Sequence, residues 1–178
     1  MAKQIKFQKQ LSEDIHLLGD ILGQVIRRQA GVELFELEEA VRALAKARRM
    51  DASPQIDDRL EQIVNGLSVE KAELLSRAFA NYFELVNLAE EQNRVRVLRS
   101  RERKAHPQPL KESIAAAIAQ LRQLGVDEYE MGKLLNKLHV ELVFTAHPTQ
   151  AKRRTVLSKL RRISAALTEL HVRDLLPT

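Results

Sequence analysis

The sequence predicts a mainly α-helical chain that carries one short strand. Three observations support this. Apolar residues recur every three to four positions along most of the chain, the spacing of one helical face. Aromatic residues make up only 4% and tryptophan is absent, so a core must be built from Leu, Ile, Val and Ala, which suits helix packing. One segment, residues 140–145, abandons the helical period for β-branched and aromatic residues.

The elements follow in order. From Ser12 onward, Ile15, Leu18, Leu22, Val25 and Ile26 form a first apolar stripe that stops at Gly31. Leu34, Leu37, Val41 and Leu44 form a second, closed by the basic pair Arg48 and Arg49. Ser53 followed by Pro54 is a helix start, since proline fits the first turn, and predicts a short helix to about Leu67. Ser68 opens the longest helix, with Leu75, Phe79, Tyr82, Val86 and Ala89 on one side; no breaker occurs before the turn His106-Pro107-Gln108-Pro109. Ile114, Ala117, Ile118, Leu121 and Leu124 give another stripe, stopped by Gly125. Asp127 and Glu130 stand in capping-box spacing and start a helix to about Leu138. Val140, Leu142 and Phe144 then alternate onto one face, the strand pattern. Val156, Leu160, Ile163, Leu167 and Leu170 define a last long helix.

A strand without a partner leaves backbone donors and acceptors unpaired, which is costly in a core. Either this segment is irregular and extended, or its neighbours lie on further chain. The end at Leu175-Leu176-Pro177-Thr178 has no closing feature, so residues 1–178 read as an N-terminal piece of a longer protein.

Composition limits the function classes. The 178 residues are 44% hydrophobic and 30% charged, a globular rather than disordered profile. With no cysteine, disulfides, thiolate metal sites and cysteine nucleophiles are excluded. No apolar stretch approaches the roughly 18 residues of a membrane span, and no signal-peptide core follows Met1, so a cytoplasmic location with no membrane partner is expected. A net charge of +5 hints at anionic partners, although such an excess on helices is commonly just solvation.

The chemistry concentrates in Val143-Phe144-Thr145-Ala146-His147-Pro148-Thr149-Gln150 and the cations just beyond. Pro148 keeps His147 out of helical backbone angles, at a seam between extended chain and helix. Thr149 can cap the final helix through its side-chain oxygen. Lys152, Arg153 and Arg154 then fall at the positive end of that helix, where each exposed cation is disfavoured by roughly 0.3–1 kcal/mol. Three in a row suggest a nearby anion. An ordinary helix start with a solvated basic face accounts for the same residues. His16, His106, His139 and His171 show no metal-ligand spacing, so no metal site is expected within the chain.

The run from Val143 to Arg154, V-F-T-A-H-P-T-Q-A-K-R-R, resembles the histidine signature of the phosphoenolpyruvate carboxylase family. The segment from Leu17 to Ile26, with Gln29-Ala30-Gly31, is similar to that family's early helix. The segment from Asn87 to Arg96 is similar to its asparagine- and arginine-bearing helix. The resemblance covers nearly the whole chain but only the N-terminal fraction of family members. It implies a (β/α)8 barrel in the full-length enzyme, with its first strand near residues 140–146 and the following helix at 149–173. It implies a lyase that carboxylates phosphoenolpyruvate with bicarbonate, giving oxaloacetate and phosphate, with magnesium held by residues outside this chain. It also implies a homotetramer, with His147 as the catalytic histidine. Arg153 and Arg154 match a basic pair that lies at a sugar-phosphate activator site in plant relatives. The remaining catalytic groups of the family lie downstream, so the 178 residues alone are expected to be inactive.

A stand-alone helical binding module is the alternative. Arg94, Arg96, Arg99, Arg101, Arg103 and Lys104 cluster late in the longest helix and could face an anionic partner. Few aromatic residues accompany them, and Glu90, Glu91 and Glu102 dilute the patch, so nucleic acid is not the expected partner.

Overall fold

The computed structural model describes residues 2–51, 53–143 and 152–173. Among these lie seven helices: α1 (Ala2–Ala30), α2 (Val32–Met50), α3 (Pro54–Asn65), α4 (Val69–Ala105), α5 (Ile114–Gln123), α6 (Glu128–Lys137) and α7 (Arg154–Arg173). The mainly helical expectation holds. Helix α1 begins ten residues before Ser12, and the Ser12 carbonyl bonds His16 Nδ1 at 2.6 Å inside the helix.

The boundaries have local causes. Gly31 alone separates α1 from α2, with φ at +91°, a conformation that side chains other than hydrogen strain. Ser53 is extended and Pro54 occupies the first turn of α3, although the Ser53 hydroxyl makes no capping bond. Asp127 caps α6 by accepting from Glu130 N–H at 2.8 Å. Ser113 caps α5 by accepting from Ala116 N–H at 3.1 Å, a start the apolar stripe did not mark. Gly125, at φ +87°, follows α5.

The strand is the correction. Residues 138–143 form no regular structure, so the described part of the segment beginning at Val140 is irregular, while Phe144 and Thr145 lie outside the described residues. Alternation and β-branching suit a strand only where another strand supplies its ladder, and no described residue is in a strand. A barrel is therefore no part of the fold these residues form. The last helix starts at Arg154 rather than near 149, with Lys152 and Arg153 ahead of it.

The chain divides into two compact units, residues 1–93 with 162–178, and residues 94–161. The first holds two apolar clusters. Ile26, Leu34, Leu75 and Ala78 form one, with Leu22, Phe35 and Phe79 packed around it. Leu18, Ala89 and Leu167 form the other, flanked by Leu11, Ile15, Leu85 and Ile163. These are the stripes read from the sequence, and truncating a buried leucine here costs about 2–5 kcal/mol. In the second unit no described residue is buried. Ile114, Leu124 and Val143 there are each about four-fifths exposed.

Candidate functional site

His147 and Thr149 lie outside the described residues, so the part of the candidate site in view is its basic end. Arg153 ends the irregular chain, and its carbonyl accepts from Val156 N–H at 2.9 Å and Leu157 N–H at 3.2 Å. It therefore occupies the position from which α7 is launched, and Arg154 is the first helical residue. Both side chains are exposed. The first turn of α7 contains no acidic residue to offset them. Two guanidinium groups and the positive end of a helix dipole thus repel one another, and an anion would relieve both.

Further along α7, in the first unit, the helix is held by polar groups that the sequence did not single out. Gln92 on α4 donates from Nε2 to Ser164 Oγ at 2.6 Å and accepts at Oε1 from Thr168 Oγ1 at 3.1 Å. Asp14 on α1, only 3% exposed, lies 2.7 Å from His171 Nε2. A carboxylate that deep needs such a partner, because burying an unpaired charge is costly. Leu167 of the same helix packs in a cluster with Leu18 and Ala89. Asp14 and His171 are 157 positions apart, so no motif spacing could reveal them. Ser164, Thr168 and His171 do recur at helical spacing, and that was the one readable signal.

Among the described residues no group of three or more His, Asp or Glu side chains could hold a metal ion. The described residues therefore do not fit the magnesium expected from the family. Exposed cations of the second unit include Arg94, Arg99, Arg101, Arg103 and Lys104 on α4. No described helix is long and apolar enough to cross a membrane.

Comparison with known proteins completes the picture. Residues 11–178 match the family model for phosphoenolpyruvate carboxylase. A phosphoenolpyruvate carboxylase of Roseiflexus castenholzii is 45% identical over 161 residues, covering 90% of this chain and 17% of that protein. One from Thermus thermophilus is 44% identical over 158 residues, covering 88% of this chain and 18% of that protein. One from Rhodothermus marinus is 37% identical over 160 residues, covering 89% and 17%. The chain thus spans under a fifth of the length of these curated relatives. With the match running unbroken from the first apolar cluster through the basic end of α7, the chain belongs to the phosphoenolpyruvate carboxylase family.

Proposed function

We propose that this chain is part of an enzyme that carboxylates phosphoenolpyruvate with bicarbonate, and that it supplies the catalytic histidine, His147. The observation that supports this is the family match over residues 11–178, which takes in the whole T-A-H-P-T run. In this reading a bicarbonate oxygen attacks the phosphorus of phosphoenolpyruvate, and the bond from phosphorus to the enol oxygen breaks. Carboxyphosphate and the enolate of pyruvate result. His147, as a neutral imidazole, takes the proton from carboxyphosphate, which releases carbon dioxide and phosphate. The enolate carbon then attacks carbon dioxide to form oxaloacetate.

Arg153 and Arg154 serve as an anion or effector site beside that segment, the role that best fits two cations at a helix start. A divalent metal, magnesium in this reading, neutralises phosphate charge in the reaction. In this reading its ligands lie outside the described residues. The full-length enzyme is expected to be a cytoplasmic homotetramer.

The test is bicarbonate-dependent oxaloacetate formation, followed by coupled oxidation of NADH. The 178 residues alone should show none; turnover by them would overturn the division of labour. In a polypeptide extended to the length of the relatives, His147→Asn should lower kcat by about 10²–10⁴, the span of general acid–base catalysis. Unchanged kcat would remove His147 from the mechanism. The binding-module alternative has the exposed cations of α4 in its favour. Steeply salt-dependent binding of duplex DNA would favour it instead.

A further inference from the structure

Helices α1, α2 and α4 of the first unit line a groove of about 900 Å³ that the carboxylase reading does not use. Its size falls within the roughly 300–1,000 Å³ typical of small-molecule sites. The chain has only seven aromatic residues, and four of them, Phe35, Phe79, Tyr82 and Phe83, line this one groove. Phe35 and Phe79 also pack against the apolar cluster beneath. Phe83 does not join that cluster; it is 59% exposed and stands edge-on to Tyr82, with ring centres 5.9 Å apart.

The cations around the groove are arranged just as unevenly. Arg42, Lys46 and Arg49 stand four and three positions apart on α2, hence on one helix face, where like charges repel. Arg42 is satisfied by Glu39. The Arg27 guanidinium lies over the Phe35 ring at 3.9 Å. Lys46 and Arg49 have no carboxylate within ion-pair distance among the described residues. Glu38 also lines the groove and is 6% exposed; burial first, then the neighbouring Glu39, holds its carboxyl above the usual carboxylate range. Asp20 is a further carboxylate lining the groove, from α1, and Glu39 is engaged by Arg42. Gly19 and Gly23 open the α1 wall at two positions, where a Cβ would fall 3.7 Å from Tyr82 and 2.9 Å from the Phe35 ring.

We propose that this groove binds a small anionic ligand with a planar ring, of the nucleoside-phosphate class, its ring against Phe83 and Tyr82 and its phosphate oxygens against Lys46 and Arg49. The proposal is independent of the role given to His147. A merely solvated basic face would take inorganic phosphate as readily as a nucleotide. A groove covered by the further length that the relatives possess would admit neither.

Titration of the isotopically labelled chain with adenosine diphosphate, inorganic phosphate and adenosine, read by nuclear magnetic resonance, separates these cases. The nucleotide should saturate below about 1 mM, moving the Gly19, Gly23, Lys46 and Arg49 amides, with phosphate and adenosine each at least about tenfold weaker. Lys46→Glu with Arg49→Glu, both exposed positions, should weaken the nucleotide at least tenfold without changing the circular dichroism. Phe83→Ala should weaken it about tenfold and leave phosphate unchanged. Phosphate or adenosine binding as tightly as the nucleotide, or no saturation by about 10 mM, overturns the proposal. In a polypeptide extended to the relatives' length, slower acetylation of Lys46 when nucleotide is added supports it. A Lys46 that is unreactive without any ligand overturns it.

Discussion

Glu38 shows how burial sets the behaviour of a single group. Its folded carboxyl titrates above the ordinary 4.5, because water is excluded and because Glu39 sits beside it. Between 4.5 and the raised value, the unfolded chain releases a proton that the folded chain keeps. The stability tied to this group is therefore complete below about pH 4.5 and is lost as pH rises through the folded value. Glu38→Gln removes that dependence. The variant should melt higher than the parent near pH 8 and no higher near pH 4, as followed by circular dichroism. Equal melting shifts at both pH values would show that folding does not raise the Glu38 pKa. Among the described residues, Glu112 is a non-glycine at φ +64°, where a side chain strains the backbone. Glu112→Gly should raise urea stability by up to about 1 kcal/mol, and a loss would mean that its side chain makes a compensating contact.

Helices were readable in the sequence because their evidence is local. The stripes through Ile15 and Leu18, Leu34 and Leu37, and Leu75 and Phe79 became the two clusters, and Gly31 and Asp127 marked boundaries where expected. Helix α1 extends well ahead of the apolar stripe that begins after Ser12, because the residues before it are mostly good helix formers. The described part of the strand expected from Val140, residues 140–143, is irregular for the opposite reason, since a strand depends on a ladder partner elsewhere. The same limit applied to the candidate site. His147, Arg153 and Arg154 stand out as neighbours in a motif, whereas Asp14 and His171, or Gln92 and Thr168, meet only after folding.

At the level of the whole chain, the buried residues among those described all lie in the first unit. Backbone amides of residues 15–30 and 75–89 should exchange far more slowly than those of 114–137, because none of residues 114–137 is buried. Uniform protection across both units, measured by hydrogen exchange with mass spectrometry, would contradict this. The exposed Ile114, Leu124 and Val143 should also make the isolated chain self-associate as concentration rises, and sedimentation would detect it. Both expectations suit a chain that covers under a fifth of its relatives' length, where further residues could cover such surface.

The amide of Gln92 has a consequence beyond its two hydrogen bonds. A helix resting on leucine and isoleucine alone can slip along its support, since oil against oil has no preferred notch. Moving α7 by one residue would put Ala165 and Glu169, or Ile163 and Leu167, where the amide now meets two hydroxyls. Together with Asp14 against His171, that side chain acts as a key cut for a single tooth of the rack. Greasier packing elsewhere could strengthen the grip, but it could not choose the tooth.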